Sequence, residues 1–176
     1  MVRDIPVSKQ KLLNALIAVG DFPEQQRPNV ARGGKLPTGF AYGLVKNRPY
    51  TASINGHKFQ LSRFNSMPKY KEVGELAFKI MEQHNPQFKF TTIQFNKNNR
   101  TAKHKDSNNV GESYILGLGD YEGGELIVFD EDGRNPKKVN INNRFFKFNG
   151  STLPHETAPF RGERFTMVFF NVRNKS

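Results

Sequence analysis

Two histidines and one aspartate in polar segments of this chain have the types and spacing of metal ligands. His104 and Asp106 are separated by one residue in the segment AKHKDSNNVG (102–111). On an extended segment their side chains leave the backbone on the same face, so both can reach one ion. His155 lies in a second polar, inter-strand segment, GSTLPHETAP (150–159), which the fold could bring beside the first. Because the chain has no cysteine, any metal must be held by His, Asp or Glu.

Two imidazoles and one carboxylate suit a divalent ion that keeps open coordination sites. On one face of an octahedral ion they form the facial triad of non-heme Fe(II) oxygenases. A bidentate co-substrate and O2 can then bind together at the three open positions. We therefore predict Fe(II) at His104, Asp106 and His155.

Arg164 opens the alternating run RFTMVFF (164–170), and Thr166 follows on the same face. An arginine fork pairs bidentately with a carboxylate, and a threonine hydroxyl can add a hydrogen bond. The pair is predicted to bind the distal carboxylate of a dicarboxylic co-substrate such as 2-oxoglutarate. Arg161 is an alternative, although it is expected in the turn before the strand.

The first half of the chain predicts two helices, a hairpin and an irregular segment. Apolar spacing and cap residues indicate helices over 8–19 and 69–84. A strong turn pair, Asn55-Gly56, indicates a hairpin in 47–64. The Gly- and Pro-rich stretch 27–43 is expected to be irregular, as either a lid or a long surface loop.

In the second half the apolar pattern changes to a period of two, which indicates strands. The expected strands cover 88–96, 113–119, 125–130, 137–142, 144–150 and 164–172. Two helices followed by closely spaced short strands predict a mainly β fold, a sandwich or barrel with the helices packed against it.

The charge is unevenly distributed, which points to a polyanionic partner. The net charge of +11 comes entirely from residues 1–110, with 18 Lys and Arg against 7 Asp and Glu; residues 111–176 carry 9 of each. Nucleic acid, DNA rather than RNA, is the expected partner, with a basic surface kept for solubility as the alternative. No long apolar segment or signal peptide is evident, so we expect a soluble, intracellular protein (nuclear or cytoplasmic) that binds no membrane.

Three residues outside the metal motif are candidates for substrate contact. Phe40 and Tyr42, flanked by basic residues, could stack a base extruded from a duplex, or they could be local packing. Arg63 could reach an anionic co-substrate or a phosphate, or it could lie on the surface.

The run FTTIQFNKNNRTAKHKDSNNVGESYILGLGDYEGGELIVFD, followed by LPHETAPFRGERFTMVFFN, resembles the TET/JBP branch of Fe(II)/2-oxoglutarate dioxygenases over residues 88–172. The resemblance implies a double-stranded β-helix (jelly roll) and oxidation of the 5-methyl group of a pyrimidine in nucleic acid, with 2-oxoglutarate converted to succinate and CO2. The substrate would be 5-methylcytosine or thymine. Asn109 stands where that family has an asparagine that contacts the target base, with Asn108 beside it; turn chemistry is the alternative for both.

These inferences describe one dioxygenase domain over 1–176, with a helical, basic part over 1–87 and a jelly-roll core with the metal site over 88–176. Two other functions remain open. A protein (prolyl-type) or amino-acid hydroxylase would share the metal motif, but prolyl enzymes usually bind 2-oxoglutarate with lysine where this chain has Arg164. A non-catalytic jelly-roll module that binds nucleic acid would be expected to have lost metal ligands.

Overall fold

The computed structural model describes residues 4–45, 50–54 and 57–172, with two α-helices and ten strands in these ranges. The helices are α1 (Asp4–Val19) and α2 (Pro68–His84). The strands are β1 (Gly39–Val45), β2 (Tyr50–Ile54), β3 (His57–Leu61), β4 (Thr92–Lys97), β5 (Ser113–Gly123), β6 (Leu126–Val128), β7 (Lys137–Val139), β8 (Phe145–Phe148), β9 (His155–Thr157) and β10 (Phe160–Phe170). No described helix has the length and apolar character needed to cross a membrane.

The strands form two antiparallel sheets, as expected for a jelly roll. The larger sheet has seven strands in the order β2-β3-β1-β4-β10-β5-β8, and the smaller has three in the order β7-β6-β9. Some neighbours in the larger sheet are far apart in sequence: β10 lies between β4 and β5. The predicted fold class, a mainly β jelly-roll core with helices packed on one sheet, is confirmed.

The main core lies between the helices and the larger sheet. Leu12 and Leu16 of α1 and Val73 of α2 are fully buried against strand residues such as Phe95 and Phe165. At about 25 cal/mol per Å² of apolar surface, such burial is the main force that holds helices on a sheet. The helices therefore cover one face of the sheet, and the site residues lie on the other.

Strand β10 shows how the sequence assigns its two faces. Phe165, Met167 and Phe169 alternate on the helix side and are 0% exposed. Arg164 and Thr166 point to the opposite face and line a cavity. A smaller apolar cluster from both sheets packs on that side, made of Ile115, Leu126, Val128, Ile141 and Phe148.

Several boundaries differ from the sequence predictions. Helix α1 starts at Asp4 rather than 8, and Gly39–Val45 is a strand although 27–43 was expected to be irregular. Its glycines weaken the local strand signal, but pairing with β4 satisfies the backbone there. Strand β9, only three residues long, was expected as part of a turn.

The remaining predicted elements are present with shifted ends. The hairpin is confirmed by the pairing of Ile54 with His57, while its turn, Asn55-Gly56, lies outside the described residues. Strand β5 continues to Gly123, where a turn was expected after 119. Strand β10 begins at Phe160, so Arg161 lies within the strand rather than in a turn before it.

Candidate metal centre and its cavity

The two histidines are brought together by a backbone bridge. The His104 N–H donates to the His155 carbonyl at 3.0 Å, and the His155 N–H donates back to the His104 carbonyl at 2.9 Å. This reciprocal pair places the two imidazole rings side by side, with centroids 4.4 Å apart. The meeting of residues 51 positions apart is therefore fixed by the main chain, whichever side chains stand there.

Asp106 completes the cluster from the same segment as His104. Its N–H donates to the Gly150 carbonyl at 2.8 Å, which fixes the segment against the turn before β9. Asp106 Oδ1 lies 3.4 Å from His104 Nε2, and Asp106 Oδ2 lies 3.3 Å from His155 Nε2. The three ligand atoms all lie within 4.8 Å of one another, close enough to coordinate one ion.

Both imidazoles are oriented as metal ligands are. His104 Nδ1 donates to the Ala102 carbonyl at 2.6 Å, and His155 Nδ1 donates to the Leu153 carbonyl at 2.9 Å. A carbonyl can only accept, so Nδ1 carries a proton in each ring; Nε2 is the nitrogen that faces Asp106, and it would bind a metal once it is deprotonated. Each carbonyl is two residues before its histidine, so the same local geometry orients both rings.

The carboxylate of Asp106 is held in its charged form. Burial raises the pKa of Asp106, but hydrogen bonds from His104 and His155 lower it more, and the result lies well below the usual range. A charged carboxylate among imidazole nitrogens is the donor set that a divalent metal requires. These three residues therefore fit Fe(II) in chemistry as well as in position.

Gly150 packs against the metal cluster, where a side chain would crowd Asp106 and His155. A substitution at Gly150 therefore tests how closely metal binding depends on this packing. A Cβ at this position would lie 3.1 Å from Asp106 Oδ2, 3.2 Å from His155 Cε1 and 3.3 Å from a ring carbon of Phe148. We expect Gly150→Ala to displace the carboxylate and weaken divalent-metal binding by roughly tenfold, comparable to the loss of an outer-shell contact. Calorimetric titration with Mn(II) would measure this. Thr152→Ala, an exposed change in the same turn, should leave the affinity unaltered, and equal affinities for all three proteins would refute the steric explanation.

A cavity of about 420 Å³ extends from the metal cluster into the space between the sheets. All three cluster residues line it, and so do Arg164 and Thr166 of β10. A volume of this size is typical of a small-molecule site. The residues expected from the sequence to hold a metal and an anionic co-substrate thus share one cavity.

Arg164 is a buried cation that forms no ion pair with the described residues. It is 3% exposed. Its Nε and Nη2 donate to the Gly124 carbonyl at 3.2 and 2.9 Å, and its Nη1 donates to the Asn99 carbonyl at 3.4 Å. Among the described residues no Asp or Glu oxygen lies within 4.0 Å of it. Burial lowers the pKa of Arg164, and nearby Tyr121 and Glu125 oppose that shift, so the guanidinium stays charged and can pair with an anion in the cavity.

Thr166 is held by a neighbouring amide in a way that leaves its proton available. Asn96 of β4 donates from Nδ2 to Thr166 Oγ1 at 3.1 Å. The Thr166 oxygen therefore accepts from Asn96, and its own hydrogen is free to be donated into the cavity. Asn96 in turn accepts from Gln94 Nε2 at 3.1 Å, which fixes the orientation of the amide.

The structure separates the two arginine candidates. Arg161 is exposed, and its Nη2 lies 3.7 Å from Glu122 Oε2 on the outer surface. Its side chain is 90% exposed, and Arg161 does not line the cavity. Arg164, three residues further along the same strand, does line it.

Three of the substrate candidates lie outside the cavity lining. The base stacking predicted for Phe40 and Tyr42 is corrected to their alternative, local packing, and Arg63 takes its surface alternative. Phe40 is 1% exposed and stacks on Phe95 in the main core, with centroids 4.9 Å apart, so it cannot stack a base. The Tyr42 ring packs against α2 where Gly74 leaves room for it. Arg63 is exposed and lies over the Phe64 ring, 4.9 Å from its centroid, outside the cavity lining.

Asn108 and Asn109 do line the cavity beside the metal cluster. The Asn109 N–H donates to the Asp106 carbonyl at 3.0 Å, so this residue closes a turn that begins at the metal aspartate. It is also 8% exposed, whereas Asn108 is exposed. The turn role and the cavity position therefore coexist at Asn109.

Two cavity residues were missed by the sequence reasoning. Asn96 of β4 lies on the cavity face of its strand. Its hydrogen bond is to Thr166, 70 residues further along the chain, so the sequence around Asn96 gives no sign of it. Arg27 lines the cavity from the segment before β1. Burial lowers the pKa of Arg27, and the Asp106 carboxylate opposes that shift. The one signal for Arg27 was its place in the basic segment expected to be a lid or loop.

Protein-family models give no match to this sequence, and neither do the curated proteins. Solved structures do match it and share its fold.

Among the matching structures, one is bound to DNA, one is an oxidoreductase and one is bound to a peptide. NgTET1 in complex with 5mC DNA superimposes with a TM-score of 0.59 at 12% identity, over 96% of this chain and 67% of that chain. An oxidoreductase of the 2OG-Fe(II) oxygenase family from Burkholderia pseudomallei superimposes with a TM-score of 0.57 at 18% identity, over 95% of this chain and 82% of that chain. A prolyl hydroxylase from Trichoplax adhaerens, in complex with a hypoxia inducible factor oxygen degradation domain peptide fragment, gives 0.54 at 11%, over 97% and 79%. At these identities the likeness establishes a common fold.

Proposed function

We propose that this chain is an Fe(II)/2-oxoglutarate-dependent dioxygenase that oxidises the 5-methyl group of a pyrimidine in nucleic acid. The observation that carries the enzyme class is one cavity lined by both a His-Asp-His cluster and a buried arginine that forms no ion pair with the described residues. The shared fold with 2OG-Fe(II) oxygenases supports the same class.

Each part of the cavity has a defined task in this proposal. His104, Asp106 and His155 would hold Fe(II), which, with 2-oxoglutarate and O2 bound, supplies the oxidising power to attack an unreactive C–H bond. Arg164 would pair with the distal carboxylate of 2-oxoglutarate, and Thr166 would donate a hydrogen bond to it. Ile115 and Leu126 of the smaller apolar cluster would form an apolar wall on this side of the cavity.

Exchanging the amide of Asn96 for a carboxylate tests the proposed clamp. In Asn96→Asp the Thr166 hydroxyl would donate to the new carboxylate instead of the co-substrate, and the added negative charge would repel 2-oxoglutarate. We expect the half-saturating 2-oxoglutarate concentration to rise by at least about tenfold, since a hydrogen bond to a charged group contributes about 1.5–3 kcal/mol. Asn143→Asp, the same exchange at an exposed loop position, is the matched control; a rise of equal size there would show that only the overall charge matters.

The substrate assignment is supported by Asn109 and by the charge of the chain. The Asn109 amide, next to the metal cluster, offers both a donor and an acceptor to a base edge. The excess of Lys and Arg favours a polyanion. NgTET1, whose fold is shared, was solved in complex with 5mC DNA. A pyrimidine would have to leave its stack to reach the cavity.

A prolyl-type protein hydroxylase is the second candidate. The peptide-bound prolyl hydroxylase superimposes nearly as well as NgTET1, with TM-scores of 0.54 and 0.59. Against it, a protein substrate gives no reason for the net charge of +11.

Parallel incubations distinguish the two candidates. The Fe(II)-loaded protein would receive 2-oxoglutarate and air with 5-methylcytosine DNA, thymine-containing DNA, methylated RNA or a proline-rich peptide. Succinate, digested nucleosides and peptide mass are then read by mass spectrometry. The proposal expects succinate together with an oxidised pyrimidine. An oxidised peptide with unaltered nucleosides would instead establish the hydroxylase.

A further inference from the structure

We propose that a second, smaller cavity beside the metal cavity binds a backbone phosphate of the nucleic acid. It lies between the turn at Arg32–Lys35 and the segment at Asn98–Thr101. This inference rests on the proposed function and assigns the position at which the nucleic-acid backbone is held.

A tight turn sets two of its cations opposite each other. Arg32 and Lys35 form an antiparallel bridge, with the Lys35 N–H donating to the Arg32 carbonyl at 3.3 Å. Gly33 and Gly34 between them have φ of 64° and 77°, the left-handed region that a two-residue turn of this kind needs. Because the backbone fixes the turn, Arg32 and Lys35 are held in place without side-chain contacts between them.

The cavity is basic and has no acidic residue in its lining. Its volume is about 140 Å³, and Arg32, Lys35 and Arg100 all line it. A water molecule occupies about 30 Å³ in the liquid, so a phosphate group fits. Lys35 and Arg100 are exposed and form no ion pair with the described residues. Two cations without an ion pair, beside a third that is paired with Glu156, form a surface that can bind an anion.

Arg32 is already oriented for such a contact. Its Nη2 lies 3.1 Å from Glu156 Oε2, which fixes one side of the guanidinium. Its Nε is buried and has no hydrogen-bond partner in the described part of the chain. A buried donor without a partner destabilises the protein, and an anionic oxygen in the cavity would satisfy this donor.

The position next to the metal centre explains why the anion would be a phosphodiester. Asn99 and Thr101 line both cavities. Glu156, which holds Arg32, follows the metal ligand His155 directly. A nucleotide whose base enters the metal cavity keeps its phosphates outside, and this basic surface lies directly beside that cavity.

Binding of a fluorescein-labelled 5-methylcytosine duplex, followed by anisotropy over a range of salt concentrations, tests the site. The variant Lys35→Ala/Arg100→Ala removes two charges and leaves Arg32 and its ion pair intact. We expect binding to weaken roughly tenfold at low salt, and the slope of log K against log salt to fall by about 1 per lost contact. Lys71→Ala/Lys79→Ala, on the exposed face of α2, removes the same charge away from both cavities.

The outcomes separate this site from the proposed function. Weaker binding in the first variant only, with substrate-free 2-oxoglutarate turnover unchanged, supports the phosphate site. Equal losses in both variants, or none, overturn it even if the wild-type protein oxidises the base. A wild-type protein that neither binds nor oxidises nucleic acid would refute the proposed function itself, and the site with it.

Discussion

Replacing His155 with alanine should abolish 2-oxoglutarate-dependent oxidation while the fold is retained. Its imidazole supplies one of the three ligand atoms that lie together at the proposed metal site. Turnover should fall by more than about 100-fold, because removing even an outer-shell partner of a ligand costs about 10- to 100-fold. The backbone bridge to His104 does not depend on the side chain, so the sheet should survive.

Far-UV circular dichroism and succinate formation, measured on the same preparation, check this prediction. His84→Ala is the matched control, since His84 is an exposed histidine stacked on Phe145, outside the cavity lining. If His155→Ala fails to fold, His104→Ala provides the same test from the other side of the bridge. Wild-type turnover in either variant would refute the metal assignment.

Removing the guanidinium of Arg164 in Arg164→Ala should raise the 2-oxoglutarate requirement by at least about 100-fold. A bidentate pair has two charge-assisted hydrogen bonds, each contributing about 1.5–3 kcal/mol. Arg164→Lys keeps the charge but not the fork, so we expect a smaller rise. The half-saturating 2-oxoglutarate concentration is the quantity to measure.

Two controls separate binding from stability in that experiment. Loss of Arg164 also leaves the carbonyls of Gly124 and Asn99 without their donors. Thermal unfolding should therefore accompany the kinetics, and Arg164→Lys should recover stability more fully than co-substrate binding. Arg161→Ala, at an exposed ion pair on the same strand, should change neither quantity. An unaltered 2-oxoglutarate requirement in Arg164→Ala would contradict the proposed clamp.

The parts of the site that could be predicted from the sequence are those with local spacing. His104 and Asp106 are two positions apart, and Arg164 and Thr166 alternate on one strand, so a common face follows from the period of two. The strand pattern of β10 was equally readable, because Phe165, Met167 and Phe169 alternate with the cavity residues.

What could not be predicted depends on pairing between distant segments. Phe40 has basic residues around it in the sequence, which suggested an exposed aromatic. Pairing of β1 with β4 instead places it against Phe95 in the core. Asn96 acquires its role only because β10 lies beside β4. The phosphate cavity likewise needs the turn at 32–35 to meet the segment at 98–101.

The most direct test of the shared metal and co-substrate cavity is an anaerobic optical titration of the protein with Fe(II) and 2-oxoglutarate. A keto acid chelated to Fe(II) gives a metal-to-ligand charge-transfer absorption band. The proposed site predicts that this band appears only when Fe(II) and 2-oxoglutarate are both present, and that Asp106→Ala abolishes it. Fe(II) binding that 2-oxoglutarate leaves spectroscopically unchanged, or a band that persists in Asp106→Ala, would contradict it.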